Sequence, residues 1–134
     1  MEYNLKEFII SFLEERIIVL EQKESIDRMS IEGATESVEQ MIELCDINDN
    51  SKAVVFHIRS LYIKKDVMRV FSSHPTHKKV TCTGLVSPSF LAKNIASMLL
   101  KMRARFMEDD IPVKIFSTEK EAIEWVGSIL GAES

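Results

Sequence analysis

The sequence has few of the residues on which many functional sites depend. Its four glycines are isolated from one another, so the chain has no glycine-rich loop to cradle a phosphate and no Gly-x-Ser-x-Gly turn to present a nucleophile. It has two cysteines, Cys45 and Cys82, which lie far apart inside apolar segments. This placement predicts reduced core thiols rather than a disulfide framework.

Long apolar runs are also missing. Apolar residues make up 46% of the chain and charged residues 28%, as in soluble globular proteins, and no run is long enough to span a membrane. The first residues include Glu2 and Glu7 and lack a basic n-region or a cleavage site, so we expect no signal peptide. With 134 residues, the chain is predicted to form one cytoplasmic domain, 1–134, that buries its core without disulfides or metals.

Metal-binding and catalytic patterns are incomplete. His74 and His77 are spaced as in a turn, and the sequence has no second pair of His or Cys residues at the spacing of zinc ligands. They therefore do not predict a zinc site. The loop DINDNS, 46–51, resembles the first half of a calcium loop but lacks the glycine and the closing glutamate. His57 lies inside an apolar strand, where a hydrogen-bonded core histidine is expected rather than a base. We therefore predict no metal, no cofactor and no enzymatic activity.

Charge is unevenly distributed along the chain. Residues 59–107 contain ten bases and one acid, a net charge of +9, whereas the other residues contain seven bases and twenty acids, a net charge of −13. This asymmetry favours an anionic partner, unless the charges scatter over the folded surface and cancel. The basic segment lacks the glycine-aromatic strand motifs and recognition-helix patterns that read bases, so no nucleic-acid partner is expected.

The apolar periodicity predicts alternating strands and helices. A β-hairpin is predicted over 8–13 and 16–22, and then a helix capped by Ser30 that ends near Asp46. The remaining predicted elements are a strand at 53–58, a helix at 64–73, a strand at 80–86, a long helix at 88–107 opened by Pro88, a strand at 113–117 and a last helix capped by Ser117 or Thr118. The order predicts an α/β fold: a β-hairpin followed by βαβαβα units, with a single sheet, packed by helices and joined by right-handed crossovers.

The predicted helix 88–107 has more apolar surface than a helix on a sheet needs. Its apolar residues cover an arc of about 200°, against little more than about 100° for such a helix. One interpretation is burial on two sides, including a homodimer seam; the other is contact with a membrane surface, an acyl chain or a partner helix. In the second interpretation Leu91, Ile95, Met98, Leu99, Met102 and Phe106 supply apolar contact, and Lys93, Lys101, Arg103 and Arg105 attract anionic groups.

A second candidate site follows the central strand. The segment IRSLYIKK, 58–65, comes after the carboxyl end of that strand, where ligands of open α/β sheets bind. Its residues Arg59, Tyr62, Lys64 and Lys65 suit an anionic headgroup or an acidic partner. The alternative is that they are ordinary solvated side chains, which need no ligand.

Two stretches resemble a known family. SPSFLAKNIASMLLKM, 87–102, and PVKIFSTEKEAIEWV, 112–126, in this element order resemble STAS-like proteins of the sporulation anti-sigma-factor-antagonist type, which share their fold with CRAL-TRIO lipid-binding domains. The resemblance covers about residues 5–130. It implies a β/α superhelix that binds a protein or an amphipathic ligand.

The resemblance also implies two kinds of partner. One is a lipid-like small molecule or a membrane surface, which would make the protein peripheral to the membrane. The other is a regulatory protein, since in the antagonist branch a serine after the central strand is phosphorylated within an Asp-Ser-Ser/Thr-Gly type motif. The matching region here, 58–68, lacks that motif and has Lys64 and Lys65 near the position of the serines.

Overall fold

The computed structural model describes residues 2–26, 28–57, 64–73, 79–87, 97, 101 and 112–133. Over these residues it confirms the predicted α/β class, with a single mixed sheet packed by helices. The strands are β1 Glu2–Asn4, β2 Phe8–Leu13, β3 Ile17–Gln22, β4 Lys52–His57, β5 Val80–Val86 and β6 Val113–Phe116. The helices are α1 Ile31–Cys45, α2 Lys65–Ser73 and α3 Glu119–Glu133, and Ser97 and Lys101 are also helical.

The strands lie in the sheet in the order in which they occur in the chain. The predicted hairpin is confirmed: β2 and β3 pair antiparallel, with Phe8 opposite Gln22 and Leu13 opposite Ile17. From β3 onward all the neighbouring strands are parallel, as the predicted strand-helix units require. Strand β1, which pairs antiparallel with β2, was not predicted, because three largely polar residues carry no periodic signal.

Each face of the sheet supports its own apolar core. Helices α1 and α2 cover one face, where Ala34 and Val67 pack with strand residues such as Phe56. Helix α3 covers the other face, where Val126 packs with strand residues such as Val55. Because neighbouring strand residues point to opposite faces, a strand buried on both faces must be apolar at almost every position. This explains the nearly continuous apolar sequences of β3 and β4.

A buried carboxylate holds the start of α1. Ser30 caps the helix as predicted, and its hydroxyl oxygen accepts a 3.0 Å hydrogen bond from the Gly33 amide. Glu7 is buried, and its carboxylate accepts hydrogen bonds from the Ser30 amide, at 2.8 Å, and from the Ser30 hydroxyl. A Cβ atom at Gly33 would collide with the Glu7 carboxylate. The close approach of this carboxylate to the helix therefore requires a glycine.

Candidate functional site at the carboxyl edge of the sheet

The carboxyl edge of the parallel strands is the place where α/β folds most often bind ligands. His57 is the last residue of β4. Ala53 and Val55, four and two residues earlier, belong to the core under α3, so His57 faces α3 by strand alternation. Glu119 is the first residue of α3. Strand β4 and helix α3 therefore bring a histidine and a carboxylate to the same edge.

These two residues form a direct polar contact. The Nε2 atom of His57 lies 2.6 Å from Oε1 of Glu119, and the two side chains keep 16% and 44% of their surface exposed. A carboxylate only accepts hydrogen bonds, so Nε2 of His57 is the donor in this contact. The predicted hydrogen-bonded histidine is found, although it lies at the rim of the core rather than inside it.

The side chain of Thr118 caps the first turn of α3. The hydroxyl oxygen of Thr118 accepts a 3.3 Å hydrogen bond from the Glu121 amide, and the hydroxyl donates to the Glu121 carboxylate at 3.0 Å. Thr118 is therefore the cap, one of the two residues predicted for that position. Glu119, placed directly after the cap, is held in the first turn and reaches His57.

Ser87 follows β5 at the same edge, and its side chain is fully buried. Its amide donates a 2.8 Å hydrogen bond to the carbonyl of Phe116. Its hydroxyl oxygen has no hydrogen-bond partner in the part of the chain that the structure describes. Val86 pairs with His57 and belongs to the core under α3, so strand alternation directs Ser87 to the opposite face. Ser87 and His57 therefore do not form a nucleophile-base pair.

Three of the predicted basic site residues lie within the described chain. Lys64 and Lys65 are exposed at the start of α2, and Lys101 is exposed and helical. Ser97, one helical turn before Lys101, is half-buried. The other predicted site residues lie outside the described residues: Arg59, Tyr62, Leu91, Lys93, Ile95, Met98, Leu99, Met102, Arg103, Arg105 and Phe106.

The structure shows a further polar site, at the amino edge of β4, that the sequence analysis did not predict. Lys52 is fully buried, and its ammonium donates hydrogen bonds to Oδ1 of Asn48 at 2.6 Å, to the carbonyl of Asn50 at 2.6 Å and to the carbonyl of Asn48 at 3.4 Å. Burial lowers the pKa of Lys52. The sequence signal was a lysine placed directly between a loop rich in Asp and Asn and a buried strand.

Asn48 joins three segments at this edge. Its side-chain amide donates to the carbonyl of Glu15 at 3.1 Å, in the β2–β3 turn. Its backbone carbonyl also accepts from the ammonium of Lys79 at 2.8 Å, just before β5. Nearby, Cys45 and Cys82 are buried and unbridged, as predicted. Burial raises the pKa of the Cys45 thiol to about 11, so this thiol is protonated at neutral pH.

The described residues form neither a cluster of metal ligands nor a membrane-spanning helix. Within the described residues, no group of three or more His, Cys, Asp or Glu side chains is arranged to hold a metal ion. None of the helices in the described ranges is both long enough and apolar enough to cross a membrane.

Comparison with known proteins shows the family of the chain. No curated protein and no solved structure matches the chain. One family model, described as a domain of unknown function (DUF7793), matches residues 11–130. The matched region runs from within β2 into α3 and so includes the core under α3, most of the core under α1 and α2, and the carboxyl edge. The chain therefore belongs to the DUF7793 family of domains of unknown function.

Proposed function

We propose that the chain is a non-catalytic STAS-like domain that binds an apolar or amphipathic, lipid-like ligand or an anionic membrane surface. In this proposal the segment 88–107 supplies the apolar contact, and the basic residues 59–107 supply attraction to anionic groups. The observation that carries the proposal is the exposure of Lys64, Lys65 and Lys101. These charges are available to a partner at the surface.

The element order supports the proposed resemblance. The parallel strands β3 to β6 lie side by side in chain order, with α1 and α2 on one face of the sheet. A β/α superhelix has the same sequential arrangement of strands.

Two contributions add up in the free energy with which an amphipathic basic helix binds a membrane. Buried apolar area stabilises the bound state, and each lysine or arginine near an anionic surface adds about 1 kcal/mol. The second term is screened within a Debye length of about 10 Å at 0.1 M salt. Salt dependence therefore measures the contribution of the basic residues.

The test is vesicle co-sedimentation. The protein is mixed with phosphatidylglycerol or phosphatidylcholine vesicles at low and high salt. We expect binding to the anionic vesicles that weakens as salt is raised, and that is largely lost in the triple variant Lys101→Gln, Arg103→Gln, Arg105→Gln. The matched control neutralises three other bases, Lys6→Gln, Lys114→Gln and Lys120→Gln, which are exposed and lie outside the basic segment. The membrane form of the proposal is wrong if anionic vesicles bind no protein at low salt.

Native mass spectrometry of freshly purified protein tests the other version of the proposal, in which the chain binds a lipid-like ligand. A non-covalent adduct of lipid-like mass that is lost on denaturation would support it. A bare chain would contradict it.

The alternative is a regulatory protein-protein module without the phosphorylatable serine. It is favoured by Lys64 and Lys65, which stand exposed at the start of α2, near the position of the family's serines. An acidic protein partner would contact this end of the helix. If the alternative is right, the unmodified chain does not bind vesicles but forms a stoichiometric complex with a protein partner. The double variant Lys64→Glu, Lys65→Glu should then no longer form that complex.

A further inference from the structure

The loop that joins α1 to β4 turns three oxygen atoms toward the ammonium of Lys52. We infer that this loop, 46–51, is a cation-binding loop. The cation that it binds is the ammonium group of Lys52, which belongs to the same chain. The inference is independent of the proposed function, because it concerns the amino edge of the sheet.

The geometry is that of a filled site. An ammonium has three N–H donors and no acceptor, and three oxygen atoms accept from Lys52: Oδ1 of Asn48, the carbonyl of Asn50 and the carbonyl of Asn48, at 2.6, 2.6 and 3.4 Å. The Asn50 amide donates a 2.9 Å hydrogen bond to Oδ1 of Asn48, which closes the loop around the ammonium. Each N–H donor of Lys52 therefore has an acceptor, one of which, the Asn48 carbonyl, is shared with Lys79.

Burial makes this cage necessary. Lys52 has no exposed surface, and an unpaired buried charge is strongly destabilising. The Lys79 ammonium also contacts the loop, 2.8 Å from the Asn48 carbonyl and 3.5 Å from the Asp49 carboxylate. The oxygen contacts of Lys52 offset the desolvation of its charge, whereas the nearby Lys79 ammonium repels it and contributes to the lowering of its pKa.

The ligand atoms define the class of cation. All three oxygens around Lys52 belong to amide groups. Calcium takes six to eight oxygens, including carboxylates, so this cage does not suit it. Neutral amide oxygens suit a monovalent cation, and three of them match the three N–H donors of an ammonium. A primary alkylammonium ion is therefore the ligand class that fits once Lys52 is removed.

Chemical rescue tests the inference. Lys52→Ala removes three carbons and the ammonium, the same atoms that n-propylammonium contains. Because the substitution leaves buried oxygen acceptors unsatisfied and creates a cavity, we expect it to lower Tm by roughly 10 °C. Propylammonium chloride should then raise Tm by about 4 °C at roughly ten times its Kd. Tetramethylammonium chloride at equal ionic strength has no N–H donor and should not do so.

Two controls isolate the site. The unmodified chain has a filled cage and should show the same Tm in both salts. Val55→Ala destabilises the other face of the sheet without touching the loop, and propylammonium should not rescue it. Equal effects of the two salts on Lys52→Ala would overturn the inference.

A second measurement does not depend on the folding of the variant. In ¹⁵N NMR spectra of the unmodified chain, the Lys52 ammonium should give a signal protected from hydrogen exchange, because its three hydrogens are bonded. Exposed Lys64 serves as the reference. A Lys52 ammonium that exchanges as fast as that of Lys64 would also overturn the inference.

Discussion

The imidazole of His57 and the carboxylate of Glu119 lie 2.6 Å apart although 62 residues separate them in the chain. The contact links the carboxyl end of β4 to the first turn of α3. It therefore ties the helix that covers one face of the sheet to a central strand at the edge where α/β folds bind ligands.

Loss of this contact should have a small and specific effect on stability. Because Glu119 is partly exposed, Glu119→Ala should lower the free energy of unfolding by about 1 kcal/mol or less. Glu119→Gln keeps an acceptor oxygen and should cost less. Urea denaturation measures both, and Glu124→Ala, an exposed change on the same helix, is the control. A Glu119→Ala variant as stable as the control would contradict the prediction.

Two glycine substitutions should have opposite effects. Gly33→Ala displaces the buried Glu7 carboxylate from Ser30 and should destabilise the protein by about 1–3 kcal/mol. Gly127 lies in α3 with nothing near the position of an added Cβ, so Gly127→Ala should stabilise by about 0.5–1 kcal/mol. Thermal unfolding should show a lower Tm for Gly33→Ala and a higher Tm for Gly127→Ala. A stabilising Gly33→Ala would show that Glu7 does not constrain the helix.

Substitutions in the β2–β3 turn should make the protein more stable. Glu14 and Glu15 adopt left-handed conformations, with φ of 51° and 57°, which favour Asn-Gly. The pair Glu14→Asn and Glu15→Gly should stabilise the protein by about 1 kcal/mol or more. The pair Glu14→Gln and Glu15→Gln removes the same charges but keeps the Cβ atoms. If the two double variants have equal Tm values, any gain in stability comes from the loss of negative charge and not from the backbone conformation.

Alkaline pH should destabilise the fold through Cys45. Its pKa is raised by burial from 9.0 to about 11, so between these values the folded chain holds a proton that the unfolded chain has lost. Stability from this group is complete below pH 9 and is lost as pH rises through about 11. Lys52 acts in the opposite direction, because its folded pKa is lowered.

A difference between variants isolates the thiol. The stability gap between the unmodified chain and Cys45→Ala, measured by urea denaturation, should shrink as pH rises from 8.5 to 10.5, within the range set by the two pKa values. Val38→Ala, another buried truncation on α1, should show a gap that does not change with pH. A constant gap for Cys45→Ala would contradict the raised pKa.

Local patterns predicted most of the elements. The strands 8–13 and 80–86 match their observed bounds, and several other boundaries differ by one residue. The predicted cap Ser30 is confirmed, and Thr118 is one of the two residues predicted to cap α3, because a capping side chain bonds to an amide within three residues. The candidate site was less predictable. Lys64, Lys65 and Lys101 are exposed as a binding role requires, and their use by a partner stays a prediction.

The sequence by itself determined the periodic elements, the caps and the α/β class, because each depends on residues close together in the chain. Only the tertiary structure decided which residues meet across long separations. It placed Glu119 against His57, since α3 packs on the face to which β4 turns that histidine. It buried Lys52, because the oxygen atoms of the preceding loop converge at the amino end of β4 and stabilise a charge that a sequence pattern assigns to the surface.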